Sequence, residues 1–207
     1  MTKSFIFIFI LIVSLSAKSQ NDTIAKFYYS IPILQAKEYK KGVYRTFEEF
    51  KNNSPSITSD FKITYEKIRI KNESGKYKKI KGKYFGACTG KKVYIKSCYY
   101  GRVTPLLTIG PYCYLICDEY DPQGGVYRSK KNFLFRSRKV LDIKTGKQIY
   151  IDSCKDASEI IGIYSKEIQI KLHKYYNYSS ETGYVQLDDN VIIFFEELNN
   201  LLINANE

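Results

Sequence analysis

The chain has 207 residues, 44% of them hydrophobic, which is enough for one domain with a buried core. Its net charge is +12, with 33 Lys and Arg residues against 21 acids and a single histidine. After the first twenty residues no stretch has the length and apolar composition of a transmembrane helix, so we expect no transmembrane segment in the rest of the chain.

The beginning of the chain has the pattern of a secretory signal peptide. Lys3 precedes an unbroken apolar run, Phe5–Val13, and small residues follow at Ala17 and Ser19. The run is shorter than the roughly 20 residues of a transmembrane anchor. We therefore predict a signal peptide at residues 1–19, cleavage after Ser19, and one mature domain at residues 20–207. The predicted location is secreted or periplasmic, which makes nucleic acid a poor partner.

The first predicted helix begins at Thr46. The Thr46 hydroxyl can accept the backbone N–H of Glu49, and the Glu49 carboxylate can bond back to the helix start, which is the capping-box pattern. Phe47 and Phe50 then share one face. Two asparagines and Pro55 end the helix, because the residue before proline disfavours helical backbone angles.

Alternating apolar residues predict strands from residue 61 onward. Phe61–Tyr65 and Ile68–Ile70 alternate with opposite parity, so we expect a bulge or a twist at Glu66–Lys67. Asn72–Gly75 is a predicted turn into a return strand at Tyr77–Tyr84.

The middle of the chain continues the sheet. Tyr112–Cys117 is apolar on both faces, which predicts a central, buried strand. Thr89–Lys91 and Lys144–Gly146 are predicted hairpin turns. The other predicted strands are Phe85–Cys88, Val93–Ser97, Phe133–Phe135, Val140–Ile143 and Gln148–Ile151.

Helices are predicted at the end of the chain. Ala157–Tyr164 and Lys166–Tyr176 have apolar residues three and four apart, although Ile168–Leu172 would equally suit a strand. A clearer helix is predicted after Asp188 and Asp189, because acidic residues stabilise the start of a helix. We expect the apolar stripe of this helix to pack on the sheet, and the alternative is that it binds a partner. The stripe consists of Val191, Phe194, Phe195, Leu198 and Leu201. The predicted fold class is α+β: an antiparallel sheet of about five to seven strands with C-terminal helices packed on one face.

Positive charge is concentrated in one segment. Phe61–Arg102 has thirteen Lys and Arg residues against two acids, whereas Glu181–Glu207 has six acids and no base. Clustered cations attract polyanions such as lipid phosphate or acidic polysaccharide. The alternative is that the lysines cover the solvent face and edges of a sheet, where they prevent edge-to-edge pairing. The candidate anion-binding residues are Lys76, Lys78, Lys79, Lys81, Lys83, Lys91 and Lys92.

Five cysteines in an exported chain leave at least one thiol unpaired. If Cys88 faces Val93 in a hairpin, Cys98 is roughly 16 Å away, and Cys113 and Cys117 on one strand are roughly 13 Å apart. A disulfide needs Cα atoms within about 7 Å. Only a non-local bridge fits, such as Cys98 to Cys113, and the alternative is buried free thiols that pack as small apolar residues.

No catalytic or metal site is predicted, and no cofactor. His173 is the only histidine, and we interpret it as a surface residue because nothing pairs with it at a recognised spacing. Adjacent carboxylates point apart on a helix or a strand, so capping and solvation explain them before acid–base catalysis does. The adjacent pairs are Glu48 with Glu49, Asp118 with Glu119, and Asp188 with Asp189.

Two segments carry a resemblance to a known group of proteins. Gly42–Pro55 has the pattern G-x-Y-x-T-F-E-E-F-K-N-N-x-P, and Tyr84–Ile95 contains an aromatic-Gly-x-Cys-x-Gly-Lys hairpin. Both resemble exported proteins of uncharacterised function from Bacteroidota, which more often have Trp where this chain has Phe85. The resemblance implies export and no activity.

The function that these patterns favour is a non-enzymatic secreted or periplasmic binding or structural module, with an anionic envelope component as the candidate partner. One alternative is a basic-surface binder of anionic envelope lipid or polysaccharide. The other is an envelope hydrolase, which would need paired carboxylates in a cleft.

Overall fold

The computed structural model describes residues 26–97, 101–120, 134–151, 174–178, 185–187 and 190–203, so the predicted signal peptide lies outside it. None of the helices in these ranges is long and apolar enough to span a membrane. The helices are α1 (Pro32–Gln35), α2 (Phe47–Lys51) and α3 (Val191–Ile203). The strands are β1 (Gly42–Tyr44), β2 (Phe61–Thr64), β3 (Lys67–Lys71), β4 (Tyr77–Lys79), β5 (Gly86–Cys88), β6 (Val93–Lys96), β7 (Val103–Pro105), β8 (Tyr112–Tyr120), β9 (Leu134–Asp142), β10 (Gln148–Tyr150), β11 (Tyr176–Tyr178) and β12 (Val185–Leu187).

The described strands form antiparallel sheets in the orders β1-β5-β6-β7, β2-β3-β4, β10-β9-β8 and β11-β12. The mixed α and β fold is confirmed. The prediction of one sheet with five to seven strands is wrong. The four-stranded sheet has apolar residues on both faces, so other elements cover it on each side instead of extending it at its edges.

Two apolar clusters lie on opposite faces of the four-stranded sheet. Strand alternation sends Val43 and Ala87 to one face, and Tyr44 and Cys88 to the other. The larger cluster, which we call the main cluster, is completed by β8–β10 and α3. The smaller one lies against β2-β3-β4, and we call it the outer cluster; its buried members are Val43, Phe61, Ile68, Ile80, Ala87 and Val103.

The predicted cap of α2 is confirmed. Thr46 Oγ1 accepts the backbone N–H of Glu49 at 3.1 Å. The Glu49 carboxylate accepts the N–H of Arg45, one residue before the expected one. At the other end Asn53 adopts a left-handed φ of 47°, and the Ser54 N–H reaches the Glu49 carbonyl at 2.8 Å. A Schellman motif therefore ends the helix.

The parity change after Tyr65 is a chain reversal. Tyr65 and Glu66 have φ values of 50° and 59°, as a two-residue type I′ turn requires at both positions. The register pairs Ile63 with Ile68 across this turn, so both apolar sets face the outer cluster. The predicted bulge or twist at Glu66–Lys67 is therefore wrong. The hairpin turns predicted at Thr89–Lys91 and Lys144–Gly146 are confirmed, since they join β5 to β6 and β9 to β10.

Strand β8 is buried as predicted, but it is not central. Five residues between Tyr112 and Cys117 are buried. Strand β9 occupies the middle of its sheet, between β10 and β8. On its other side β8 makes a single bridge, Leu115 with Leu106, next to β7. This bridge joins the β10-β9-β8 sheet to the four-stranded sheet beside the main cluster.

The C-terminal helix packs on β8 through apolar and polar contacts. Phe195 stacks on Tyr114 with ring centroids 5.4 Å apart. The buried Asn199 side chain accepts the N–H of Tyr112 at 2.9 Å and donates to the Tyr112 carbonyl at 2.9 Å. One amide side chain thus satisfies both backbone groups that a neighbouring strand would otherwise bond.

Two details of the C-terminal prediction are wrong. Leu201 is 56% exposed and Leu202 is buried instead, because contact with β8 follows a spacing of four, three and four residues from Val191. The predicted helix Lys166–Tyr176 ends too late, since β11 begins at Tyr176. The rest of that helix and the helix predicted before it lie outside the described residues.

Candidate functional site

The solvent face of the β2-β3-β4 sheet is a continuous basic surface. Every second residue of each strand lies on this face, and the apolar residues between them pack in the outer cluster. The three strands have no acidic residue. We call this surface the basic face, and it consists of Lys62, Thr64, Lys67, Arg69, Lys71, Tyr77 and Lys79.

Three cations lie side by side across the middle of the basic face. Lys62 is paired with Arg69, and Arg69 with Lys79. Residues that are directly opposite have Cβ atoms about 5 Å apart, where like charges destabilise a sheet. Arg69 Nε is shielded from solvent and has no hydrogen-bond partner among the described residues. No described carboxylate pairs with this row, so its charge is not neutralised by that part of the protein.

The neighbouring row is neutralised at its end by Asp60. Lys71 Nζ and Lys41 Nζ lie 4.0 and 3.9 Å from the Asp60 carboxylate. The Tyr77 hydroxyl donates a hydrogen bond to Asp60 at 2.8 Å. That hydrogen bond, helped by the two lysines, lowers the pKa of Asp60, and it raises the pKa of Tyr77. The two rows therefore differ in charge balance, although both consist mainly of polar side chains.

Three of the seven lysines predicted as anion ligands lie at this sheet. Lys79 belongs to the basic face, Lys78 points to the other side of β4, and Lys76 lies in the turn before that strand. Four cations of the basic face were not selected from the sequence. A two-residue turn at Tyr65–Glu66 would have identified most of them, because it places the polar residues of β2 and β3 on one face. The four are Lys62, Lys67, Arg69 and Lys71.

The remaining predicted lysines lie elsewhere. Lys81 and Lys83 are exposed in the loop after β4, where their carbonyls accept hydrogen bonds from the Arg45 guanidinium at 2.9 and 3.3 Å. Lys91 and Lys92 belong to the β5–β6 turn. The structure therefore distributes the predicted anion ligands over three places and does not form one site from them.

A cleft lies beside the β5–β6 turn. Its volume is about 440 Å³, within the range of small-ligand sites. Lys91 and Lys92 line it, and its described lining contains no carboxylate. The other lining residues are Tyr39, Val93, Pro105, Leu106, Leu107 and Ile109.

The three described cysteines, Cys88, Cys113 and Cys117, are buried, and Cys88 and Cys113 are free thiols. Burial raises the pKa of Cys113 to about 12 and also raises the pKa of Cys88, so both thiols stay protonated and unreactive at neutral pH. The interpretation as buried free thiols that pack as small apolar residues is confirmed for Cys88 and Cys113. The structure does not support a bridge between Cys98 and Cys113, because Cys113 is free; Cys98 lies outside the described residues.

Within the described residues, no group of three or more His, Cys, Asp or Glu side chains could hold a metal ion. The Glu49 carboxylate is occupied by the α2 cap and by the Ser56 hydroxyl at 2.9 Å. His173, Asp188 and Asp189 lie outside the described residues. Neither the basic face nor the cleft therefore gains an acid–base or metal-binding group from the described part of the chain.

Two surfaces thus combine features of a binding site: the basic face and the cleft. The resemblance of Gly42–Pro55 to exported Bacteroidota proteins stays a prediction. No family model, no curated protein and no solved structure matches the chain.

Proposed function

We propose that this protein is a non-enzymatic, exported binding module whose basic face docks on anionic lipid or polysaccharide of the cell envelope. The observation that carries the proposal is the row Lys62–Arg69–Lys79, in which three like charges are direct neighbours. Like charges in this position destabilise the free sheet. An array of phosphate or carboxylate groups on the face relieves the repulsion and attracts the protein over several ångströms.

The side chains of the row suit an extended anionic partner. The backbone positions that carry the cations are about 4.8 Å apart between adjacent strands and about 6.7 Å apart at every second residue of one strand. Arg69 has a planar guanidinium that can bind a phosphate or carboxylate through two parallel hydrogen bonds. Lys62 Nζ lies 4.3 Å from the Tyr77 ring centroid, a cation–π contact that keeps the ammonium at the face.

The distribution of charge among the strands favours binding over edge protection. Protection against edge-to-edge pairing requires lysines on edge strands, which here are β2 and β4. The central strand β3 nevertheless contributes three cations, Lys67, Arg69 and Lys71. Cations in the middle of a sheet do not block an edge, whereas they complete a surface for an anionic array. The hydrolase alternative lacks a carboxylate in the described lining of the cleft.

The test compares two triple variants that lose the same charge. The first replaces the middle row (Lys62→Gln, Arg69→Gln, Lys79→Gln), and the control replaces three exposed lysines of other elements (Lys37→Gln, Lys40→Gln, Lys147→Gln). Binding is measured to vesicles with and without anionic lipid and to an immobilised acidic polysaccharide, across a salt series. Each cation near an anionic surface contributes about 1 kcal/mol. The row variant should bind about a hundredfold more weakly, and the control should change far less.

The two ligand arms identify the partner. Retention on vesicles alone assigns lipid, and retention on the polymer alone assigns polysaccharide. An equal loss in both triple variants would show that only net charge matters, and the proposal would be wrong. Absence of binding to either ligand at low salt would also refute it.

A further inference from the structure

The cleft beside the β5–β6 turn has both apolar and polar groups in its lining. Val93 and Leu106 at its lining are almost fully buried members of the main cluster. Leu107, also in the lining, is 42% exposed. The apolar surface that the cleft offers to a ligand is therefore that of Leu107 and the half-buried Pro105 and Ile109, and an apolar ligand that covers these side chains removes their surface from water.

Two cations stand at this apolar surface. Lys91 and Lys92 are exposed, and neither forms an ion pair with any residue in the described ranges. The turn that carries them is fixed by Thr89, whose N–H donates to the Lys92 carbonyl at 3.0 Å and whose Oγ1 accepts the Lys92 N–H at 3.2 Å. The two ammonium groups are therefore available on a backbone that needs no reordering when a ligand binds.

Tyr39 adds a hydrogen-bond donor. Its ring is half-buried in the cleft lining, and its hydroxyl makes no hydrogen bond with the described part of the protein. Burial raises the pKa of Tyr39, so the hydroxyl keeps its proton at neutral pH. The Tyr39 carbonyl accepts from the Cys88 thiol at 3.8 Å, which connects this residue to the strand below the turn.

We propose that the cleft binds one amphiphilic carboxylate, such as a medium-chain fatty acid, with its chain on Pro105, Leu107 and Ile109 and its carboxylate at Lys91 and Lys92. Accessible apolar side chains beside two cations, with no described carboxylate in the lining, match a ligand with an apolar body and one anionic end. The site is independent of the basic face: the cleft is lined by β6, the residues around β7 and Tyr39, whereas the basic face belongs to β2-β3-β4.

The test is a calorimetric titration of the purified protein with a series of alkanoates below their micelle concentrations. Affinity should rise about fourfold per added methylene until the cleft is filled, with one ligand per chain. An alcohol and a trimethylammonium compound of the same chain length should bind much more weakly, because they lack the anionic end. An alkyl phosphate in parallel determines whether a carboxylate is required or any anionic end suffices.

Variants locate the site. Lys91→Gln with Lys92→Gln should weaken dodecanoate binding roughly tenfold, by analogy with exposed ion pairs. Tyr39→Phe keeps the ring and should cost about two- to tenfold. The control, Lys81→Gln with Lys83→Gln, removes the same charge from the exposed loop after β4, outside the cleft lining and the basic face, and should leave binding unchanged. Equal binding of the alcohol, non-saturating uptake, or an equal loss in the control variant would overturn the proposal.

Discussion

The four-stranded sheet and the β2-β3-β4 sheet differ in what their faces contact. Strands β1 and β5 are buried at every position, because apolar clusters cover both faces of their sheet. The β2-β3-β4 sheet has one face on the outer cluster and one in solvent. Strands β1 and β5 are covered twice and contribute only to the core, whereas the β2-β3-β4 sheet is covered once and exposes every second residue to solvent.

Removing core volume from each sheet gives the largest expected contrast. Ile95 in β6 is fully buried in the main cluster, and Ile63 in β2 is only partly buried against the outer cluster. Ile95→Ala should lower the free energy of unfolding by about 2–5 kcal/mol, because it leaves a cavity that the main cluster cannot fill. Ile63→Ala should cost less than about 2 kcal/mol. Urea denaturation measures both, and equal losses would show that the two sheets are packed alike.

Glycine substitutions test the same contrast through the backbone. A Cβ on Gly86 would lie 2.2 Å from the carbonyl oxygen of Tyr94 on the adjacent strand. Gly86→Ala should therefore force β5 and β6 apart and cost about 1–3 kcal/mol, as overpacking does. A Cβ on Gly75, in the turn before β4, meets nothing within 4 Å, but its φ of 77° is left-handed.

Gly75→Ala should thus lower the free energy of unfolding by about 1 kcal/mol, which is the cost of placing a Cβ in the left-handed conformation. Thermal unfolding of the two glycine variants provides the measurement. A larger loss for Gly75→Ala than for Gly86→Ala would mean that turn geometry limits stability more than the close approach of the inner strands.

Local chemistry made part of this fold predictable from the sequence. Thr46 and Glu49 define a cap through two side chains within one helical turn. The apolar run Tyr112–Cys117 predicts a buried strand, whichever strands it pairs with. The division of the strands among several sheets was not predictable from the sequence. Strands of three residues, such as Gly42–Tyr44 and Gly86–Cys88, are too short to show an alternation of apolar and polar residues. Their pairing depends on residues more than forty positions apart.

The same limit applies to the candidate surfaces. The excess of positive charge pointed to the segment Phe61–Arg102. The neighbours of Arg69, however, follow from the strand register, and this register could not be predicted because the sequence pattern indicated a bulge or a twist where the chain turns at Tyr65–Glu66. Tyr39 and Lys91 line the same cleft although they are distant in the chain, and no local pattern predicts that they share it. Sequence reasoning thus located the charge, and folding determined which charges are adjacent.

A substitution in the Tyr65–Glu66 turn should stabilise the β2-β3-β4 sheet. Tyr65 is 87% exposed and has a left-handed φ of 50°, which costs a residue with a large side chain about 1 kcal/mol or more. Asparagine tolerates this conformation, so Tyr65→Asn should stabilise the protein by about 0.5–1 kcal/mol. Tyr65→Ser removes the same ring without that preference and is the control. Equal melting temperatures for the two variants would show that backbone strain at this turn is negligible.

The smallest expected effect concerns the charge-balanced row of the basic face. Tyr77→Phe removes the hydrogen bond to Asp60, so the pKa of Asp60 should rise toward its ordinary value while Lys41 and Lys71 still lower it in part. In the native protein the lowered pKa of Asp60 stabilises the fold above the unfolded-state pKa of about 4. That contribution is lost as the pH falls through the folded-state value.

The raised pKa of Tyr77 acts in the opposite range: its contribution is complete below about pH 10 and is lost as the pH rises through the folded-state pKa. An NMR titration of the Asp60 carboxyl carbon measures the shift, with Tyr84→Phe, which removes a hydroxyl bonded to the Gly101 carbonyl, as the control. An unchanged Asp60 midpoint in Tyr77→Phe would mean that the lysines alone set it. Lys41 and Lys71 would then keep Asp60 ionised without help from Tyr77. The middle row, Lys62–Arg69–Lys79, would differ from this row only in lacking an acid.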